Sequence, residues 1–226
     1  MGYLAALIYS EPLLPDELLN QRDLLRLYQT ITQRLPAQFP ASFFDKRHFP
    51  RNHGMAHGIT GILYALHLCI HQAGLPSVPL YEQYGLLQTI QTDLYQEMAK
   101  PYWCNNTGGY TLAVLQMSQQ LTELKATGES AFKKILPLLE QYLQHNKPNL
   151  CHGNTGLLEI ALSAYKHELL TAAEYQQFVT RCIAAIKKSM FTHQERFYTG
   201  LMPGYCGMLY QTLRALDPDT VPAILL

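Results

Sequence analysis

The residues best suited to metal chemistry in this chain fall in two short strings, Trp103-Cys104-Asn105-Asn106 and Leu150-Cys151-His152-Gly153. Two thiols and one imidazole form a borderline-soft donor set that suits Zn2+. Three protein donors leave one position open, which is the arrangement of a catalytic zinc site and not of a structural one. Neither string has the Cys-x-x-Cys spacing of a zinc finger, so spacing alone carries little weight. Taken by itself, Cys104 reads as a buried small hydrophobe. Position within a repeat is what joins the two strings.

Five segments share the pattern of a small-residue turn followed by an apolar run. They start at Gly2, Gly58, Asn106, Gly153 and Gly204, so the intervals are 56, 48, 47 and 51 residues. The common core is Gly-x-x-Gly, as in Gly58-Ile-Thr-Gly61, Gly153-Asn-Thr-Gly156 and Gly204-Tyr-Cys-Gly207. Asn106 replaces the first glycine in the third copy, and Asn tolerates a left-handed backbone better than most residues. Cys104 and Cys151-His152 precede the third and fourth copies, and His53-Gly-Met-Ala-His57 precedes the second. Residues about fifty apart can therefore converge at one end of the fold.

Longer amphipathic stretches separate these segments. Over 172–190, Tyr175, Phe178, Val179, Cys182, Ile183, Ile186 and Met190 make a one-sided stripe at helical spacing, behind a Thr171-Ala-Ala-Glu174 capping box. Residues 16–35 carry Leu24, Leu27, Tyr28, Ile31 and Leu35 in a similar pattern, and 80–99 and 129–145 read the same way. Pro137 is expected to kink or shorten the last of these. No segment of comparable length alternates like a strand. The unit is a helical hairpin of one all-round apolar helix and one amphipathic helix. This predicts an all-α fold, an α/α toroid with buried inner helices and half-exposed outer ones. About five inner helices fit in the 226 residues as a single domain, 1–226, leaving an incomplete ring. A straight helical solenoid is the alternative. The glycines allow tight loop reversal, and the helix N-termini they precede point free N–H groups into a central cavity.

The string Ala56-His57-Gly58-x-x-Gly61, then Trp103-Cys104, then Cys151-His152-Gly153-x-x-Gly156, then Gly204-x-x-Gly207 resembles the lanthionine synthetase C-like family, the lantibiotic cyclases. The resemblance runs from about residue 50 to the C-terminus, with residues 2–9 as one weaker turn; the family's N-terminal part has no visible counterpart. It implies that Cys104, Cys151 and His152 are the zinc ligands and that His57 is the active-site acid/base. It implies a reaction in which a substrate Cys thiol adds to a dehydroalanine or dehydrobutyrine of a precursor peptide. Related proteins are implicated in additions of glutathione or other thiols. The partners implied are a precursor peptide or small thiol, a dehydratase or transporter complex, and a chain that completes the ring.

That chemistry is consistent with the residue types. A free thiol at neutral pH is mostly protonated and weakly nucleophilic, and a metal position deprotonates it. Addition at the β-carbon leaves an enolate that needs a proton at the α-carbon. An imidazole with an ordinary pKa of about 6.5 can deliver one near neutrality. The competing role for His57 is a buried imidazole bonded to a carbonyl. A non-catalytic zinc-bearing module that holds a peptide or thiol for a partner enzyme is the competing function. Other α/α-toroid enzymes, such as glycan hydrolases, predict carboxylate pairs at the turns, and these turns have almost none.

The remaining reactive residues take plainer roles. Cys69 and Cys182 fall on apolar faces and read as core, and Cys206 reads as packing on the fifth turn, with a substrate contact as the alternative. His53 reads as structural and Asn149 as a turn residue. His67 and His71 lie four apart on one helix face, a metal-pair spacing, but with no acidic third ligand nearby they read as a packing or solvated pair. Tyr102, Tyr110 and Tyr205 sit near turns and pack or line a peptide cleft.

Lys+Arg and Asp+Glu number 17 each, so no charge bias toward nucleic acid or acidic lipid exists. Five widely spaced cysteines and no basic leader after Met1 suit reduced thiols in the cytoplasm, where a complex can join the chain to a membrane. The longest apolar stretch, Gly61 to Ile70, is too short to span a bilayer.

Overall fold

The computed structural model describes residues 21–38, 54–56, 58–79, 81–83, 100–104, 107–143, 148–192 and 200–223. These residues form seven α-helices and no strand. The helices are α1 (Gln21–Gln38), α2 (Ile59–His71), α3 (Thr107–Met117), α4 (Lys125–Tyr142), α5 (Asn154–Lys166), α6 (Ala172–Thr192) and α7 (Tyr205–Leu216).

The inner helices α2, α3, α5 and α7 lie side by side in sequence order, with α4 behind α3 and α5, and α6 behind α5 and α7. They run in one direction. At their N-terminal ends the Ala56 N–H donates to the Cys104 carbonyl (2.8 Å), and the Leu150 and Cys151 N–H groups donate to the Met202 carbonyl (3.1 and 3.3 Å). At the other end His67 Nε2 meets Gln120 Oε1 (2.9 Å), and Gln116 donates to Ser163 Oγ (3.0 Å). The result is an arc of an α/α toroid containing four of the five expected inner helices; the turn at residues 2–9 lies outside the described residues.

Helix periodicity and burial agree. Every residue of α3 except Gln116 is buried, as is α5 from Asn154 to Ala164, whereas α4 and α6 bury one face. Tyr28 of α1 joins Ile59, Leu63, Leu66, Tyr110, Val114 and Met117 in one part of the core. Phe132, Ile135 and Leu139 of α4 meet Leu158 and Leu162 of α5 and Phe178, Val179 and Ile186 of α6 in the other. Each such side chain contributes about 1.5–3 kcal/mol by leaving water. The capping box forms as expected: the Thr171 N–H donates to Glu174 Oε2 (2.8 Å) and the Glu174 N–H to Thr171 Oγ1 (3.2 Å). These bonds hold the Glu174 carboxyl below its usual range. Of the stretch 80–99, only a short 3-10 turn at Tyr81–Gln83 and Lys100 beyond it are described.

Pro137 does not end its helix. Helix α4 starts at Lys125 and runs through Pro137 to Tyr142. Proline removes the donor to the carbonyl of Lys133, but both residues are exposed, so water can bond that carbonyl.

The second glycine of each Gly-x-x-Gly is explained by close approach. A Cβ at Gly61, Gly109, Gly156 or Gly207 would overlap the carbonyl oxygen of Met55, Trp103, Leu150 or Leu201, respectively. In each of these four copies the chain six residues upstream folds back across the first helical turn, and only a residue without Cβ admits it. The first glycines are extended N-caps, with φ of −144° at Gly58, −122° at Gly153 and −119° at Gly204. Any residue adopts that region, so the first position of the repeat does not demand glycine; Asn106 itself lies outside the described residues.

The last inner helix differs from the others. Leu209, Leu213 and Leu216 of α7 are 60%, 59% and 58% exposed. Counted from the second glycine of each repeat, Leu209 corresponds to Leu63, Thr111 and Leu158, and Leu213 to His67, Leu115 and Leu162, all of them buried. Helix α7 shows to solvent the face that its three counterparts bury. Its opposite side is tied to α5 by a buried ion pair: Arg214 Nε and Nη2 donate to Glu159 Oε2 and Oε1 (2.8 and 3.0 Å), with Gln211 Nε2 also on Oε2 (2.5 Å).

Candidate metal centre

The two loops carrying the candidate ligands are held by the fold-back just described. Before α3, the Thr107 hydroxyl donates to the Lys100 carbonyl (2.7 Å) and the Gly109 N–H to the Tyr102 carbonyl (3.1 Å). Cys104 is the last described residue of that loop, and Ala56 of the preceding repeat holds its carbonyl. Before α5, the Leu150 carbonyl lies over Gly156 while Met202 holds the Leu150 and Cys151 N–H groups from the following repeat. Asn149 Oδ1 accepts the His152 N–H (2.8 Å), the turn-residue role expected for it. Both loops are fixed within their own repeat and to a neighbouring one, so side-chain placement at their tips is preorganised.

Those tips meet. Cys104 Sγ lies 2.9 Å and Cys151 Sγ 3.9 Å from His152 Nε2, and all three donor atoms fall within 4.8 Å of one another. Two Zn–S bonds of about 2.3 Å at a tetrahedral angle put their sulfurs about 3.8 Å apart, so the spacing fits one tetrahedral ion. Soft thiolates with an imidazole are also the chemistry that selects zinc over magnesium or calcium. Among the described residues no other group of three His, Cys, Asp or Glu side chains could hold a metal ion.

Access is graded across the set. Cys104 is buried, Cys151 half-buried and His152 exposed, so the site opens on the His152 side. The Tyr102 ring stands edge-on to the His152 imidazole, with centroids 5.3 Å apart, and edge-on to Tyr142 at 5.7 Å. Tyr102 thus borders the open side, and burial raises its phenol pKa. A hydrogen bond from Cys104 lowers the Cys151 thiol pKa against the opposing effect of burial. Burial pushes the core thiols the other way, Cys69 up to about 12 and Cys182 higher still. The thiol beside the imidazole thus ionises more readily than an ordinary cysteine, and the buried core thiols less readily.

A family model described as lanthionine synthetase C-like protein matches residues 1–226. The chain belongs to the lanthionine synthetase C-like family. The match extends ahead of the motif-bearing stretch that begins near residue 50 and covers the whole chain. No curated protein matches this lanthionine synthetase C-like chain.

The other sequence expectations divide. His57 and His53 lie outside the described residues. Cys69 and Cys182 are core, as expected, but Cys206 is exposed on the first turn of α7 and not packed. Tyr110 is buried, whereas Tyr102 and Tyr205 are half-buried. His67 is buried and His71 exposed. Sequence reading missed the Tyr102–His152 contact and the Glu159–Arg214 pair. Each joins residues about fifty apart, so only the repeat register could have signalled them.

Proposed function

We propose that this lanthionine synthetase C-like chain catalyses zinc-dependent addition of a thiol to a dehydroamino acid, forming thioether rings in a precursor peptide. The observation that carries this reading is the convergence of Cys104, Cys151 and His152 from two repeats, with one side of the set open. Cys104 Sγ, Cys151 Sγ and His152 Nε2 would hold the ion. Bound there, zinc supplies a position for the substrate sulfur and favours its thiolate form.

The chain's own residues then position and protonate. Asn149 and Met202 keep the Cys151-His152 loop in register, and Ala56 does the same for Cys104. Tyr102 limits the approach to the His152 side. In the reaction, an S–C bond forms at the β-carbon, the C=C π bond breaks, and the resulting enolate takes a proton at the α-carbon. His57 is assigned that delivery on the family's motif; the residue before it, Ala56, donates its N–H to the Cys104 carbonyl. Holding both reactants turns ring closure into an oriented intramolecular attack. A small thiol such as glutathione meets the same chemistry at the sulfur position.

A second reading is a non-catalytic zinc-bearing module that holds a peptide or thiol and works with a partner chain. The exposed Leu209, Leu213 and Leu216 face favours a covering chain. One experiment separates the two. A dehydrated precursor peptide is incubated with the protein, and its free thiols are then blocked and counted by mass spectrometry. The enzyme reading expects thiols to disappear without a change in peptide mass; full blocking after incubation leaves only the binding module.

A further inference from the structure

At the far end of the inner helices, three nitrogen and oxygen donors converge on a point that the proposed reaction does not use. We propose that His67, His71 and Tyr81 form a second site, for a divalent late transition metal such as Cu2+, Ni2+ or Zn2+. Tyr81 Oη lies 2.9 Å from His67 Nδ1 and 3.0 Å from His71 Nε2. The histidines are one turn apart on α2, with ring centroids 4.5 Å apart. Tyr81 reaches them from the 3-10 turn Tyr81–Gln83, whose first N–H donates to the Val78 carbonyl (2.8 Å). Sequence spacing gave the histidine pair without a third ligand; the fold supplies a phenol.

The tautomer of His67 is fixed in the sense a metal needs. Its Nε2 lies 2.9 Å from Gln120 Oε1, an acceptor, so Nε2 carries the proton and Nδ1 presents a lone pair toward Tyr81. A carbonyl oxygen on the far imidazole nitrogen is the usual support of a metal-bound histidine. Burial pushes the His67 pKa down to about 4, so the ring is neutral near pH 7. The ring of His71 is exposed and gives an entry path. Without a metal the donors satisfy one another: the Tyr81 O–H donates to His67 Nδ1, and the His71 Nε2–H to the Tyr81 oxygen. Metal–ligand bonds of about 2.1 Å at a tetrahedral angle place donors about 3.4 Å apart, so the two Tyr81 contacts each lengthen by about 0.4 Å to admit an ion. On binding, His71 shifts its ring proton to the other nitrogen through solvent, and Tyr81 releases its phenolic proton to solvent. Two imidazoles and a phenolate suit late divalent metals better than Mg2+ or Ca2+.

The test is a Cu2+ titration of the full-length Cys104→Ala/Cys151→Ala variant, read by electron paramagnetic resonance and visible absorption. Removing both thiols separates this site from the first, so failure here says nothing against the proposed reaction. One Cu2+ is expected to bind with nitrogen hyperfine structure and a phenolate-to-copper absorption. Added His71→Ala is expected to weaken binding at least tenfold, and added Tyr81→Phe to abolish the absorption. The zinc-loaded wild type is expected to show the same His71 dependence, which covers the case of a misfolded double variant. Cu2+ affinity and spectra indifferent to His71→Ala in both backgrounds would overturn the proposal.

Discussion

His152 places its Nε2 2.9 Å from Cys104 Sγ, across 48 residues of sequence. This relationship exists because the loop before α3 and the loop before α5 obey one rule. Each crosses the first turn of its own helix over a glycine, and each is bonded to a loop of an adjacent repeat. The site therefore depends on residues that touch no ligand.

Gly156 tests that dependence. A Cβ there would overlap the Leu150 carbonyl, so the backbone that carries Cys151 must shift. Gly156→Ala is expected to cost about 1–3 kcal/mol of stability, the usual range for overpacking, and to weaken zinc binding. Gly74 is the control: its φ of +62° strains any side chain, but nothing lies within 4 Å of an added Cβ. Gly74→Ala is expected to cost about 1 kcal/mol and to leave zinc affinity unchanged. Thermal melts with metal titration of both variants check the contrast.

The buried pair Glu159–Arg214 makes a second prediction. Both side chains are at least nine-tenths buried, and Arg214 also donates to the carbonyls of Pro218 and Val221. Arg214→Leu strands the Glu159 carboxylate and is expected to destabilise the fold by about 3–5 kcal/mol. Replacing both residues by leucine is expected to recover much of that loss. Denaturant unfolding of the single and double variants measures it.

A third prediction concerns acid. His67 is buried against Tyr81 and Gln120, with His71 beside it, and its pKa is lowered from 6.5 to about 4. The unfolded chain then binds a proton that the folded chain refuses. The stabilising contribution of neutral His67 is full above pH 6.5 and is lost as pH falls toward 4. The melting temperature is expected to drop across that window. His67→Gln is expected to flatten the drop; a slope unchanged by the substitution would assign the acid sensitivity to other groups.

Much of this was legible in the residues. The stripe from Tyr175 to Ile186 and the Thr171–Glu174 box define α6 because both are local patterns. The Gly-x-x-Gly repeat located all four described inner helices and aligned Cys104 with Cys151-His152. What stayed hidden is relational. The second glycine is required by a carbonyl six residues away, which no propensity reports. Leu213 looks like Leu162 in sequence, yet one is exposed and the other buried, because neighbours and not the helix decide burial. Pro137 continues a helix because its orphaned carbonyl belongs to an exposed residue. The third donor beside His67 and His71 is a tyrosine from a separate turn.

Metal content of the purified protein, taken together with that of Cys104→Ala/Cys151→Ala, reaches the central claim most directly. The account predicts one more zinc per chain in the wild type than in the double variant, with helical content retained. Equal zinc in the two proteins, or none in either after purification with zinc present, would contradict it.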